Sequence, residues 1–311
     1  MKVDRTFLRS KVARRIFLLF ITCALLPVTI LAILSFQHVT RQLNEQSQER
    51  LHQAAGAMGM HLFERLLFLE TGMEIAASSL NETGEDRWRE TVAEISGRLK
   101  ERLESLGVIT EKAKPISLLG TVQEPPPLTA KQKVHLRQGK TLISARARAG
   151  RPAVVLMRRL LDPDQPGRGT LVAEVKITYL WRGADENPLP PMTQLWVLDQ
   201  AGTLLFSTLP DAVLFSEQEI LEMTRTHSGP FDWRYEEREG VGTYSSLYMQ
   251  NEFLVDKWII ALGEFKAHVL APMSKFKKIF PLVVLLSLWV VLLLSINQIR
   301  RNLIPLERLQ E

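Results

Sequence analysis

Arg146, Arg148, Arg158 and Trp181 are the side chains whose types and spacing best suit recognition chemistry in this 311-residue chain. All four fall in stretches that read as strands. A guanidinium fork there can grip a carboxylate or phosphate, and an indole can cover what it holds. The chemistry would be binding of a small anionic molecule from the solvent. A second reading stays open, in which the arginines face water and Trp181 belongs to a core.

Catalytic constellations are not evident in the sequence. His38, His52, His61, His135, His227 and His268 show no zinc-ligand spacing and no His-Glu-x-x-His pair. Neither a Gly-x-Ser-x-Gly elbow nor a phosphate loop nor a Gly-x-Gly-x-x-Gly turn occurs. Glu236, Glu237, Arg238 and Glu239 form a charge run of the kind that ends a solvated strand. Enzyme activity, a metal and a cofactor are therefore not expected within these residues.

The elements that must position the arginines lie between two apolar runs. Residues 16–36 carry no charge and, at 1.5 Å per residue, make a helix about 31 Å long, which matches a bilayer core. Pro27 inside the run is tolerated where neighbouring helices satisfy the freed carbonyl. Residues 279–296 are a second uncharged run. Six basic side chains against Asp4 alone in residues 1–15 hold the N-terminus in the cytoplasm, and two spans return residues 297–311 to the same side. Lys275, Lys277 and Lys278 on the outer flank of the second run argue the other way, and the first span is taken to decide.

Charge is concentrated at the membrane flanks. Residues 1–15 contribute +5 and residues 297–311 contribute +1 to a total of +5, which leaves the middle region, 37–278, at −1. No basic domain face for nucleic acid follows from that balance. Cys23 is the only cysteine and lies in the first run, so the 242 residues between the runs hold together without an internal disulfide. That length supports two ordinary domains.

Within the middle region, Leu51, Ala55, Met58, Leu62, Leu66, Leu69, Met73, Ala76 and Leu80 recur at steps of three and four, the stripe of a long stalk helix. It packs on a core, on a second copy, or on both along different stretches. Trp88, Val92, Ile95, Leu99, Leu103 and Leu106 predict a second helix, stopped by Gly107 in a left-handed conformation. Strands are predicted over 141–147, 153–161 and 170–181, then over 194–198, 203–207, 231–235, 243–249 and 257–263. Asp199 to Gly202 forms a turn, and a short helix over 216–224 starts with the capping box Ser216–Glu219. The proline cluster 188–191 divides the strands into two groups.

The last residues carry a relay pattern. Ile299, Leu303, Leu306 and Leu309 make one helical stripe, with Pro305 beside it, immediately after the second apolar run. This segment, Ile-Arg-Arg-x-Leu-x-Pro-Leu-x-x-Leu, resembles the start of a HAMP linker. Residues 196–207, Trp-Val-Leu-Asp-Gln-Ala-Gly-Thr-Leu-Leu-Phe-Ser, are similar to the central hairpin of Cache and PAS domains. As a whole the layout resembles the double Cache family of bacterial transmembrane receptors, found in membrane diguanylate cyclases, phosphodiesterases and histidine kinases.

The resemblance implies an α+β membrane protein, with two transmembrane helices flanking a long stalk helix and two PAS-like antiparallel-sheet units. Its parts would be a cytoplasmic N-terminus (1–15), a first span (16–36), a stalk with a membrane-distal unit (37–190), a membrane-proximal unit (191–278), a second span (279–296) and a HAMP start (297–311). It implies a homodimer in the bacterial inner membrane, sensing an extracytoplasmic small molecule and passing the signal to a cytoplasmic output domain. The Arg-x-x-x-Trp-Tyr cluster of the amino-acid-sensing members is absent, and Asp86-Arg87-Trp88-Arg89 does not replace it. A membrane-tethered binding or scaffold protein without output is the alternative.

Overall fold

The computed structural model describes residues 11–95, 97, 99–110, 115–148, 151–160, 169–181, 189–209, 215–273, 278–290 and 293–294. One helix, α1 (Lys11–Glu82), forms the longest element. The chain divides into two compact units, one of residues Gln48–Lys266 and the other of Met1–Ser47 with Ala267–Glu311.

In the larger unit α1 supplies the spine of the core. Leu51, Ala55, Leu62, Leu66, Leu69, Met73, Ala76 and Leu80 are all buried and Met58 is half-buried, so the three-four stripe faces protein along its whole length. At Gly59 the helix faces the second sheet, where a Cβ would make ordinary contact with Ile260 at 3.7 Å and Leu247 at 4.0 Å. The helix ends at Glu82, where Asn81 to Gly84 interrupts the apolar period.

Two five-stranded antiparallel sheets pack against this spine through one continuous apolar cluster. The first contains β1 (Leu103–Ile109), β2 (Ile116–Leu119), β3 (Leu142–Arg148), β4 (Arg151–Arg159) and β5 (Thr170–Val175), in the spatial order β2-β1-β5-β4-β3. The second contains β6 (Gln194–Asp199), β7 (Leu204–Ser207), β8 (Ser228–Tyr235), β9 (Arg238–Met249) and β10 (Val255–Phe265), in the order β7-β6-β10-β9-β8. Numbered within each sheet, the two orders are identical. The last strand lies at the centre and the first beside it, so each sheet closes on its own final strand. The α+β class and the pair of antiparallel sheets expected from sequence are therefore observed.

The short helices are α2 (Trp88–Ile95), α3 (Ala130–Arg137), α4 (Ile177–Trp181), α5 (Glu217–Arg225), α6 (Gln250–Phe253) and α7 (Lys266–Val269). The Ser216–Glu219 capping box opens α5 as predicted, and a second box, Thr129–Gln132, opens α3. The 199–202 turn also forms: Asp199 Oδ1 accepts from the amides of Ala201 and Thr203, and Gly202 takes a φ of +80°.

Three expectations are corrected. The second helix ends at Ile95, and Leu103 and Leu106 belong to β1. Both bury on the α1 side although three residues apart, because a bulge between Leu103 and Ser105 shifts the register. That bulge imitates a helical step. Gly107 is not a left-handed stop; it sits in β1, where a Cβ would collide with the carbonyl of Ile116 and come within 2.7 Å of Val122. The third predicted strand stops at Val175, and Trp181 is the last residue of α4.

The smaller unit includes residues 11–47 of α1 and a helical stretch over 278–290. In it Thr40 donates its hydroxyl to the Phe36 carbonyl at 2.8 Å and lies 3.2 Å from Met273 Sδ. Among the described residues no helix is long and apolar enough to cross a membrane. Residues 291, 292, 295 and 296 of the second apolar run, and the relay residues Ile299, Leu303, Pro305, Leu306 and Leu309, lie outside the described residues.

Candidate ligand-binding site

Each sheet has one face on α1 and one face turned away from it, and the two outer faces differ in chemistry. On the first sheet, strand register builds two rows across the outer face. One is Gly107, Val172, Met157 and Leu142, and the next is Ser105, Glu174, Val155 and Ser144. The first row is apolar and is closed by α3 through Leu136 and by Val122. The second places a hydroxyl and a carboxylate, 3% and 7% exposed, side by side on β1 and the central strand β5. A floor of aliphatic side chains bordered by buried polar groups is what a small polar ligand requires.

Arg146 and Arg148 lie on β3 in register with Ala153 and Arg151, two and four residues beyond Ser144 and in phase with Leu142 and Ser144. Their side chains lie outside the described residues. These register positions continue the outer face beyond Ser144.

Arg158 is elsewhere. It lies on β4 in step with Val154 and Leu156, which face α1. Its guanidinium donates to Thr141 Oγ1 at 3.1 Å and stands 3.4 Å from Glu74 and 3.8 Å from Glu70, both on α1. Burial pushes the Glu70 carboxyl above its ordinary pKa; Arg158 and a hydrogen bond with Thr141 oppose that shift, and Glu252 on α6 and Glu74 add to it. Arg158 thus meets two carboxylates of α1. The structure separates Arg158 from the positions of Arg146 and Arg148 rather than bringing the three together.

Trp181 is 2% exposed and packs between the sheets. Its ring stacks on Phe206 of β7 at 5.7 Å and lies 5.6 Å from Trp258 of β10. Among the described residues its Nε1 has no hydrogen-bond partner. Nearby, Arg65 on α1 donates to the carbonyls of Tyr179 and Leu180, which fixes the end of α4.

The outer face of the second sheet is filled. Trp196 and Trp233 pack edge to face at 4.9 Å, and Phe215, Phe231, Tyr244 and Phe265 complete the layer. Gly240, Gly242 and Gly263 form its floor, where any Cβ would collide with the rings of Trp233 or Phe231. Lys257 reaches from β10 to the carbonyls of Met223 and Thr226 at the end of α5, and burial lowers its pKa. The outer face of the first sheet instead carries the polar pair Ser105 and Glu174.

Glu174 and Ser105 were not singled out from sequence. The available signal was a charged residue inside the apolar run Leu171-Val172-Ala173-Glu174-Val175. Among the described residues no group of three histidine, cysteine or acidic side chains is placed to hold a metal.

No family model matches the chain, and no curated protein matches it in sequence. Solved structures do. The ligand-binding domain of the Campylobacter jejuni chemoreceptor Tlp3, in complex with 4-methylisoleucine, aligns over 73% of this chain and 94% of its own length, with a TM-score of 0.52 and 8% identity. The chain shares the fold of these sensor domains. The ligand-binding domain of the Pseudomonas aeruginosa amino acid chemoreceptor PctB, with L-Arg, gives 0.51 at 12% identity over 72% of this chain and 97% of that one. The extracellular domain of rpHK1S-Z16, described as a histidine kinase, gives 0.52 at 14% identity over 73% and 97%.

Proposed function

We propose that the chain is the input module of a bacterial transmembrane receptor that binds an extracytoplasmic small molecule on the outer face of its first sheet. The observation that carries this reading is the contrast between the two faces. Identical strand orders present an aliphatic floor with Ser105 and Glu174 on one sheet and a closed aromatic layer on the other. The shared fold with the ligand-binding domains of Tlp3 and PctB supports a sensory role, and both of those were solved with amino acids bound. The ligand class is therefore tested first with amino acids, with Arg146 and Arg148 as the anion-binding positions nearest the polar row.

In this reading residues 16–36 and 279–296 span the inner membrane. Exposed Ile30, Leu31, Ile33 and Leu34 on one side and Leu282, Leu285, Leu286 and Leu294 on the other support contact with lipid. Met60, Phe68 and Ile75 leave apolar surface on α1 that suits a second copy of the stalk. The signal leaves through the second span and the stripe Ile299, Leu303, Leu306 and Leu309 beside Pro305. A HAMP linker and an output domain of cyclic-di-GMP or histidine-kinase type complete the receptor.

The test is calorimetric titration of the full chain in lipid nanodiscs with the L-amino acids, dicarboxylates and short amines, repeated with Glu174→Gln and Ser105→Val. A binder whose affinity falls at least about tenfold, roughly 1.4 kcal/mol, in either variant supports the site. A binder indifferent to both variants removes the site from this face.

A further inference from the structure

We propose that Arg50 and Glu264 form the latch that couples the second sheet to the stalk helix at the point where the chain enters and leaves the larger unit; the inference rests on the sensor reading above. Arg50 stands two residues inside the start of that unit at Gln48, and Glu264 two residues inside its end at Lys266. A single guanidinium nitrogen of Arg50 reaches both carboxylate oxygens, at 2.6 and 2.7 Å. Thr193, just before β6, adds its hydroxyl to Oε1 at 3.3 Å. One carboxylate therefore ties α1, the central strand β10 and the segment leading into β6.

The two partners are unequal, and the inequality makes the contact suitable for switching. The Glu264 side chain is 4% exposed and the Arg50 side chain 56%. The guanidinium can leave for water while the carboxylate has nowhere to follow it. Opening the pair takes the guanidinium away from a buried carboxylate, so the closed arrangement is favoured until something displaces β10 or α1. Two residues after Glu264 comes Lys266, whose ammonium lies 3.2 Å from Glu239 and 3.4 Å from Asp232 on the β8–β9 hairpin. The β8–β9 hairpin is thus tied to the first residue of α7. With the latch closed, the start of the stalk and the end of β10 move as one piece; with it open, the exit strand moves alone.

The test is hydrogen exchange on the full chain in nanodiscs, read on peptides covering residues 262–269, for Arg50→Gln, Glu264→Gln and the double variant. Arg50→Gln takes the guanidinium away from the buried carboxylate and speeds exchange at least about tenfold, whereas Glu264→Gln leaves only an exposed arginine and speeds it less than about threefold. The double variant matches Glu264→Gln, so the second substitution rescues the first. Additive effects, or no change above twofold in Arg50→Gln, overturn the proposal. Any compound found by the titration above then serves as a coupling probe. In Arg50→Gln it binds with affinity within about threefold of the unmodified chain, but its effect on exchange at 262–269 is lost. If that effect survives, the pair is structural and not a latch. A titration without any binder counts against the sensor reading, and the rescue experiment still decides the pair by itself.

Discussion

Replacing Trp181 distinguishes a core tryptophan from a ligand-covering one. The indole is fully enclosed by Phe206, Trp258 and the apolar cluster around α1, so Trp181→Ala opens a large cavity between the two sheets. A buried Trp→Ala change costs about 3–5 kcal/mol. For a unit of this size each kcal/mol moves the melting temperature by about 2–4 °C, so the midpoint falls by roughly 6–20 °C. Trp181→Phe behaves differently. It gives up part of the buried area, but it also removes an indole N–H that has no partner among the described residues, and an unsatisfied buried donor costs about 1–3 kcal/mol. The two effects offset, and the Phe variant melts within about 4 °C of the parent. The assay is thermal unfolding by circular dichroism in nanodiscs, with ligand titration of the Phe variant alongside. An Ala variant within 2 °C of the parent, or a Phe variant that loses ligand binding while keeping its melting temperature, refutes the packing argument.

Other positions give contrasting outcomes. Gly56→Ala meets nothing within 4 Å on an exposed turn of α1 and stabilises by about 0.8–1.0 kcal/mol, seen as a higher urea midpoint. Gly263→Ala instead drives a methyl into Trp233 and to 2.9 Å from Trp196, and destabilises by about 1–3 kcal/mol in the same assay. Burial raises the Glu70 pKa above its unfolded value, so the folded state binds the proton more tightly. Its contribution to stability therefore improves as pH falls through the folded pKa and is complete below the unfolded one. Glu70→Gln removes that gain, and the melting-temperature difference between parent and variant shifts in the parent's favour on acidification; a difference independent of pH contradicts the assignment. Glu239 has the opposite sign, since its hydrogen bond and charge pairing with Lys266, then with Arg234, lower its pKa. Lys266→Gln returns its titration toward the ordinary carboxylate range, measured by carboxyl-carbon NMR.

The stalk and the second sheet were legible in the sequence because their signals are local. A stripe of nine apolar residues at steps of three and four has one interpretation, and each member is buried or half-buried. The Asp199–Gly202 turn and the Ser216–Glu219 box depend only on neighbours within three or four residues. β1 was not legible, because a bulge spaced Leu103 and Leu106 as a helix would, and Gly107 looked like a terminator. β2, with four half-buried residues, carries too short a pattern to stand out. The arginines illustrate a different limit. Strand alternation assigns a residue to one of two faces but does not say which face meets the stalk. Arg158 thus went to the α1 side with Glu70 and Glu74, away from the register positions of Arg146 and Arg148. Glu174 is legible only once strand order places it beside Ser105.

The most direct test of the central claim combines titration with mapping of where the ligand lands. The full chain in nanodiscs is screened with the L-amino acids, dicarboxylates and amines, and hydrogen exchange is recorded with and without each binder. The account predicts at least one compound with a Kd near or below about 100 μM, roughly 5.5 kcal/mol. Protection should centre on the β1 and β5 peptides that contain Ser105 and Glu174 and leave the β8–β9 hairpin of the second sheet unchanged. Protection centred on the Trp196–Trp233 layer instead, or no binder in the whole panel, would contradict it.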